Sequence, residues 1–312
     1  MADLLSVLTA TEKISLSLRA LYAEKGYGQY KMSKFEEYDL YAKNKEFLTS
    51  DSVITFTDTD GRLLALKPDV TLSIIKNTKE SPEGKTKVYY NENVYRLHKG
   101  TGAFRELAQV GVETMGDVTE KDVVETLLLA KESLNLLSDA TVLEVSHLDV
   151  VTGLAQAYGL SAQGKQEFFL ALADKNEQAA RSVAEAEGLT PEQTENLALL
   201  TTLYGKAEQI LPLLSRFGAD EKTKTAVQEF STVLTALLNA GAENVYVDFS
   251  VLNHQNYYNG IAFKGFVKGV PTGVLSGGQY DRLMQKMKKH SKGIGFAVYP
   301  DELVKIYAGE RK

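Results

Sequence analysis

The sequence predicts an α+β fold, in which an antiparallel sheet carries helices and a helical segment interrupts the sheet domain. Between residues 31 and 118, short runs rich in Val, Ile, Tyr and Phe are separated by turn signals, as in strands joined by hairpins. Residues 151–240 are rich in Ala, Leu, Glu, Gln and Lys, which favours helices. Strand character returns after residue 244, so we expect a sheet domain of residues 1–150 and 241–312 with a helical insertion at 151–240.

The first half begins with a predicted helix. Apolar residues recur at helical spacing over 14–22, Thr9 and Glu12 have the spacing of a capping box, and Gly26 is expected to end the helix. The turn at 58–61, Asp-Thr-Asp-Gly, predicts a tight hairpin. The strands predicted here cover residues 53–57, 63–66, 88–90 and 107–113.

The second half begins with a helix predicted over 122–137, with Thr119 as its N-cap, and a strand over 142–150. Within the helical segment, Pro191 is expected to start a helix, and four glycines are expected to end helices: Gly164, Gly188, Gly205 and Gly218. Three more strands and a closing helix are predicted, at 244–251, 261–267, 272–275 and 280–289.

The composition excludes several classes of site. The chain of 312 residues contains no Cys, which excludes disulfides and thiolate catalysis, and its four His form no metal-binding spacing, so no metal site is expected. A net charge of −6 argues against binding nucleic acid through the overall field of the protein. No secretory signal or membrane-length apolar run is visible, so we expect a soluble cytoplasmic protein.

The segment 109–113, Gln-Val-Gly-Val-Glu, is the first candidate for a binding site. Strand alternation places Gln109 and Glu113 on one face, with Gly111 between them as a bare backbone position that a small ligand could approach. Val110 and Val112 then face a core. Taken alone, the stretch fits a solvent-facing polar strand better than a ligand site.

Two further segments carry charged candidates. Asp69 and Thr71 follow a strand that ends at Pro68, and they could accept hydrogen bonds from an ammonium group. Alternatively, Asp69 is an N-cap and Thr71 a first-turn residue of the helix predicted over 72–76. Arg96 could bind a carboxylate or phosphate in bidentate fashion, although a lone Arg at a strand end is usually a solvated charge.

The last candidates lie near the C-terminal end. Tyr257 and Tyr258 could line a pocket for a planar ring, although such a pair is more often core. Gly277 and Gly278 precede Tyr280 and would allow close approach of a ligand at a helix start, or form a simple turn.

Taken in order, these segments resemble histidyl-tRNA synthetase, a class II aminoacyl-tRNA synthetase, and its shorter paralogues, the regulatory subunits of ATP phosphoribosyltransferase. The similarity covers most of residues 12–305. Residues 26–33 stand at motif 1, and residues 295–298 resemble the start of motif 3. The intervening segments resemble "F-x-D-x-x-G … L-R-P-E-G-T" at 56–71, motif 2 with "Q-F-G-V-E" at 95–113, "R-G-L-D-Y-Y" at 256–260 and "G-G-R-Y-D" at 277–281.

The resemblance implies a class II synthetase-like fold with a histidine pocket. Asp69 and Thr71, with Gln109 beside them, would meet the α-amino group. Glu113 and one tyrosine of the pair 257–258 would approach the imidazole. The residues that would line the rest of the site are Arg96 and Tyr280.

The departures from the synthetases concern catalysis. The arginine of "R-G-L-D-Y-Y" falls on Asn253 and the motif 3 arginine on Glu302, where a carboxylate would repel ATP. The motif 1 proline is Ser33, and a motif 2 acidic residue falls near His98. The sequence ends shortly after motif 3, so no anticodon-binding domain is expected. The synthetase chemistry is therefore predicted to be lost.

The resemblance thus implies a regulatory protein without catalysis, cofactor or metal of its own. It would assemble with the short-form catalytic subunit of ATP phosphoribosyltransferase, which joins ATP to phosphoribosyl pyrophosphate in the first step of histidine biosynthesis. It would activate that subunit, carry feedback inhibition by histidine, and form a self-dimer. The alternatives are a truncated histidyl-tRNA synthetase or another histidine-activating ligase, and, least favoured, a nucleic-acid-binding relative.

Overall fold

A nine-stranded sheet forms the centre of the computed structural model, which describes residues 4–48, 52–79, 84–98, 101–251 and 257–309. The strands are β1 (Gly28–Gln29), β2 (Phe35–Glu37), β3 (Thr55–Thr57), β4 (Leu63–Leu66), β5 (Thr86–His98), β6 (Ala103–Gly116), β7 (Thr141–His147), β8 (Tyr204–Lys206), β9 (Val245–Asp248), β10 (Asn259–Val267), β11 (Leu275–Gln279) and β12 (Lys292–Val298). Their order in the large sheet is β1-β5-β6-β12-β11-β10-β7-β9-β8, and β2, β4 and β3 form a separate small sheet.

Helices flank the sheet and fill the segment between β7 and β9. They are α1 (Ala10–Glu24), α2 (Tyr38–Ala42), α3 (Thr71–Asn77), α4 (Glu120–Leu137), α5 (Leu148–Ala157), α6 (Ala162–Ala173), α7 (Glu177–Ala186), α8 (Pro191–Thr202), α9 (Ala207–Ile210), α10 (Glu221–Asn239), α11 (Asp281–Lys286) and α12 (Pro300–Gly309). Short 3-10 helices cover Leu4–Val7, Lys45–Phe47 and Leu211–Phe217. None of the helices in these described ranges is long and apolar enough to cross a bilayer.

The α+β prediction is confirmed, and most strand pairs are antiparallel. The pairs β1–β5 and β7–β9 are parallel, so the large sheet is mixed. The hairpin at residues 58–61 joins β3 to β4 as predicted. The capping box of Thr9 with Glu12 is present, and so are the N-caps Thr119 and Thr190.

Several predicted boundaries were wrong. The strand expected to reach residue 150 ends at His147 and is followed directly by α5. The strand expected at 272–275 begins only at Leu275. The closing helix is shorter than predicted, and β12 was not predicted. Gly164 lies inside α6, and Gly205 lies in β8, so neither ends a helix.

The two faces of the large sheet are covered by two hydrophobic clusters. One cluster joins α1, α4, α5 and α10 to the face that carries Val110 and Val112. The other packs α2, α3 and α11 against the opposite face, around Tyr90 and Tyr280. Because the first cluster continues into α6–α8, the helical segment shares its core with the sheet. The division into two domains stays a prediction.

Candidate functional site

A polar cleft lies on the second face of the sheet, above β6, β12 and β11. About 50 Å3 of it is open to a water-sized group, so a ligand held here is a small molecule. Every residue that was predicted to form the histidine pocket lines this cleft. The full lining is Phe47, Asp69, Thr71, Tyr90, Arg96, Gln109, Glu113, Tyr257, Tyr258, Ser276, Tyr280, Gly295, Phe296, Ala297 and Tyr299.

Strand β6 supplies the floor of the cleft. Gln109 and Glu113 are both buried and share the cleft face, whereas Val110 and Val112 pack in the core on the other side. This alternation is the one predicted from the sequence. The solvent-facing alternative is excluded, because Gln109 is 4% and Glu113 only 2% exposed.

The carboxyl group of Glu113 is the most unusual group in the cleft. Its Oε1 accepts a hydrogen bond of 2.6 Å from Thr71 Oγ1, while its Oε2 is buried without a partner among the described residues. Gly295 of β12 pairs with Glu113 of β6 and leaves space for its carboxyl group. A Cβ on Gly295 would lie 1.9 Å from Oε2, so the carboxyl group fits only beside a glycine.

Burial controls the charge of this carboxyl group. Desolvation, with a smaller contribution from the nearby Asp69 carboxylate, raises the pKa of Glu113 to about 8 against the opposing effect of the hydroxyl groups of Thr71 and Tyr280. The Tyr280 hydroxyl lies close enough to the carboxyl group to lower its pKa, but neither Tyr280 Oη nor Glu113 Oε2 has a hydrogen-bond partner of good geometry among the described residues. Near pH 7 the cleft therefore presents a protonated carboxyl group beside a neutral hydroxyl group, and a polar ligand can form hydrogen bonds with both.

Asp69 and Arg96 form an ion pair at the cleft. Arg96 Nη2 lies 3.7 Å from Asp69 Oδ2, and Arg96 Nε donates to Pro68 O at 2.7 Å. Asp69 Oδ1 also accepts from the backbone N–H of Leu72 at 2.8 Å, so the residue both caps the start of α3 and lines the cleft. Burial raises the pKa of Asp69, and Arg96 lowers it. The pair offers an acceptor and a donor side by side.

The tyrosines form the aromatic side of the cleft. The rings of Tyr257 and Tyr258 are 4.8 Å apart, and those of Tyr257 and Tyr280 are 6.4 Å apart. Burial raises the pKa of each of these tyrosines far above its usual value, so their hydroxyl groups are neutral donors. They provide both a planar apolar surface and polar ends.

Three of the glycines have a different role from the one predicted. The space over Gly111 is occupied by the hydroxyl group of Tyr90, which would lie 2.5 Å from a Cβ, so no ligand approaches that backbone. Gly277 and Gly278 lie within β11 rather than at a helix start or turn. Gly278 accommodates the ring of Tyr258, which would lie 2.8 Å from a Cβ. These glycines thus place aromatic side chains.

Sequence reasoning missed several lining residues. Phe47, Tyr90, Ser276 and Tyr299 reach the cleft from elements far apart in the chain, and no local pattern marks them. Gly295 was noted only as part of motif 3, although an isolated glycine in a strand signals close approach of another group. The described residues contain no group of three or more His, Asp or Glu suited to a metal ion.

Comparison with known proteins gives the family. The histidyl-tRNA synthetase family model matches residues 3–303. The chain belongs to the histidyl-tRNA synthetase family. An ATP phosphoribosyltransferase regulatory subunit of Caldanaerobacter subterraneus subsp. tengcongensis is 30% identical to it over 90% of this chain and 74% of the relative.

Solved structures of the family agree with this fold. A structure titled as an ATP phosphoribosyltransferase regulatory subunit/histidyl-tRNA synthetase from Bacillus halodurans has a TM-score of 0.83 and 26% identity, over 95% of this chain and 78% of that one. A chain of the ATP phosphoribosyl transferase (HisG:HisZ) complex from Thermotoga maritima has a TM-score of 0.72 and 17% identity, over 92% and 96%. At that identity, the second likeness concerns the fold alone.

The two predicted departures from the synthetases of the family have different positions. Asn253 lies outside the described residues. Glu302 lies in α12 and does not line the cleft; its Oε2 accepts a hydrogen bond from Thr272 Oγ1 at 2.7 Å. The repulsion of ATP by Glu302 stays a prediction. The cleft itself is poor in cations, since Arg96 is the only cationic side chain among its described lining residues.

Proposed function

We propose that this chain is the non-catalytic regulatory subunit of an ATP phosphoribosyltransferase in the cytoplasm, and that its cleft binds free histidine as a feedback signal. Its relatives carry the name of that regulatory subunit, which supports the assignment of the partner, the short-form catalytic subunit. The catalytic subunit would join ATP to phosphoribosyl pyrophosphate, and this chain would activate it.

The buried, half-satisfied carboxyl group of Glu113 carries the proposal. An imidazole ring has two nitrogens that each need a hydrogen-bond partner. Glu113 Oε2 can serve one nitrogen, and a tyrosine hydroxyl group can serve the other, since Tyr280 Oη is also without a partner. A ligand with an apolar side chain would leave both groups buried and unsatisfied, which costs about 1–3 kcal/mol for each. The cleft therefore favours a polar ring.

The amino-acid end of the ligand finds its partners at the ion pair. Asp69 can accept hydrogen bonds from the α-amino group, with Thr71 and Gln109 close by, and Arg96 can donate to the α-carboxylate. A zwitterion placed here exchanges the long Asp69–Arg96 contact for two shorter charge-assisted bonds. The cleft thus offers acceptors for the ammonium group and a donor for the carboxylate of a free α-amino acid.

The cleft is poorly equipped for the chemistry of a ligase. Formation of an aminoacyl-adenylate requires cations that stabilise phosphate oxygens in the transition state. Arg96 is the only lining cation in the described part of the cleft, and it is already engaged by Pro68 O and Asp69. Binding without turnover is therefore the activity that this geometry supports.

Bound histidine can inhibit the complex only if it binds one quaternary state more tightly than the other. We infer that the cleft differs between the two states, and that this chain also pairs with a second copy of itself, as the resemblance to the family implies. A coupling of about 1–3 kcal/mol, typical of allosteric proteins, corresponds to a 5–150-fold change in affinity.

Reconstitution tests the proposal. The rate of phosphoribosyl transfer by the short-form catalytic subunit is measured alone, with this chain, and with this chain and histidine. The variant Glu113→Ala removes the carboxyl group and with it both of its hydrogen-bonding positions. Glu106→Ala is the matched control, because Glu106 lies on the same strand but is exposed and contacts Asn93 and Tyr95.

We expect this chain to raise the rate and histidine to lower it. Glu113→Ala should weaken inhibition by at least about tenfold in histidine concentration while activation persists, because one buried hydrogen bond is worth about that much. Glu106→Ala should behave as the unmodified chain. A rate that is indifferent to this chain would refute the regulatory role. Sustained exchange of pyrophosphate into ATP, dependent on histidine, would show a ligase instead.

A further inference from the structure

A second cavity adjoins the cleft on the same face of the sheet. About 170 Å3 of it is open to a water-sized group, which is several times the space in the cleft itself. Three residues, Tyr258, Ser276 and Tyr299, line both spaces and therefore stand between them. The remaining lining of this side cavity is Val251, Ala262, Phe263, Lys264 and Gly277.

The boundary between the two spaces is a fixed contact. The hydroxyl groups of Ser276 and Tyr299 are 2.5 Å apart and share a hydrogen bond. The backbone N–H of Tyr299 donates to Val274 O at 2.8 Å, so both ends of the tyrosine are attached to β11 and the residue before it. A side chain held at its backbone and at its hydroxyl group resists displacement by a ligand.

We propose that the Tyr299–Ser276 bridge is a specificity element, which restricts the cleft to a free amino acid and excludes histidine derivatives that are extended at the carboxyl group. This inference rests on the proposed function of the cleft. The bridge closes the route by which such an extension would enter the side cavity. The regulatory site thereby responds to free histidine and not to its esters or peptides.

The position of Arg96 indicates which end of the ligand meets the bridge. Glu113 pairs with Val88 of β5 and with Gly295 of β12, and both of these strands run away from Glu113, toward Arg96 and Tyr299 respectively. A carboxylate bound by Arg96 therefore lies toward the end of the cleft that the bridge closes. The imidazole end lies at Glu113, whose side chain is held by Thr71 and by the space over Gly295.

If the bridge were removed, the side cavity would suit a ligand with an anionic extension at its carboxyl group. Lys264 lines it, and the Lys264 ammonium lies 5.3 Å from the centre of the Phe266 ring. Lys264 pairs with Glu144 of the neighbouring strand β7; burial raises the pKa of Glu144, and Lys264 is one of the groups that lower it. A glycine joined to the carboxyl group of histidine would carry its own carboxylate toward Lys264.

Isothermal titration of the intact chain with L-histidine and with L-histidylglycine tests the inference. Tyr299→Ala removes the ring, whereas Tyr299→Phe keeps the ring and removes only the hydroxyl group. Tyr204→Ala is the control for loss of a tyrosine, because Tyr204 is 46% exposed and lines neither space. The readout is the ratio of the two dissociation constants, so any general loss of histidine affinity cancels.

The unmodified chain and Tyr204→Ala should prefer histidine by about 100-fold or more, since the extension meets the ring. Tyr299→Phe should keep only part of this preference, because its ring is no longer held by Ser276. Tyr299→Ala should reduce this preference at least tenfold, and adding Lys264→Gln should restore part of it. Equal binding of both ligands by the unmodified chain, or an unchanged ratio in Tyr299→Ala, would overturn the inference. If no histidine binds to any of these proteins, the proposed function fails. In that case a crystal structure of Tyr299→Ala tests whether the bridge separates the two cavities. Cavities that remain separate in this variant would refute that role.

Discussion

Replacing Glu113 with Gln should make the free energy of unfolding less sensitive to pH. In the folded protein, burial raises the pKa of Glu113 from 4.5 to about 8, so the folded state keeps a proton that the unfolded state releases above pH 4.5. The associated stability is present below pH 4.5 and is lost as the pH rises through about 8. The slope is about 1.4 kcal/mol per pH unit, which amounts to about 3–4 kcal/mol between pH 5 and 8. Gln does not titrate and removes this loss.

Urea denaturation at pH 5, 6, 7 and 8 measures the effect. We expect the free energy of unfolding of Glu113→Gln, relative to the unmodified chain, to increase steadily over this range. Glu106→Gln should show a constant difference, because hydrogen bonds from Asn93 and Tyr95 lower the pKa of Glu106 and it is ionised throughout. If Glu113→Gln also showed a constant difference, Glu113 would be ionised in the folded protein, and the argument from desolvation would be wrong.

Three further predictions concern the cleft and its support. Histidine affinity, measured by calorimetry, should be highest between about pH 6.5 and 8, because free imidazole gains a proton below that window and Glu113 loses its proton above it; a flat profile would contradict this. Gly295→Ala should lower the free energy of unfolding by about 1–3 kcal/mol and weaken histidine binding, since its Cβ would lie 2.4 Å from Val112 O. The control Gly28→Ala, whose nearest atom is 3.8 Å away, should leave binding unchanged. Lys67→Met should lower the free energy of unfolding by about 3 kcal/mol, because Lys67 is fully buried and paired with Glu92. Adding Glu92→Leu should recover part of that loss. An equal loss of stability in the single and double variants would show that the pair is not coupled.

Features set by short sequence patterns could be predicted. The capping box at Thr9 needs only a residue three positions later, and the alternation of Gln109 with Glu113 needs only the two-residue period of a strand. The ordered resemblance to the synthetase family then brought the distant segments of the cleft together. The predicted lining residues that fall in the described ranges do lie together, although their binding of histidine stays a prediction.

Features set by distant neighbours could not be predicted. Strand β12 has the sequence Lys-Gly-Ile-Gly-Phe-Ala-Val, whose glycines disfavour a strand by intrinsic propensity. They are tolerated because Tyr280 lies over Gly293 and Glu113 lies over Gly295, and both side chains come from elsewhere in the chain. The role of Tyr299 could not be predicted for the same reason, since its hydrogen-bond partner Ser276 lies on β11. In each case the neighbouring chain overrides the local preference.

The long hairpin of β5 and β6 has a consequence for how the cleft forms during folding. Its strands pair without interruption from Thr86 with Met115 to His98 with Ala103, so its contacts are close in sequence. Contacts of this kind form early, because little chain entropy is lost in closing the loop. We therefore expect the hairpin, with Arg96 and Glu113 already in place, to be an early folding unit, onto which the C-terminal strands later bring the tyrosines. A newly made chain would then acquire its polar anchor points before the aromatic wall that encloses them.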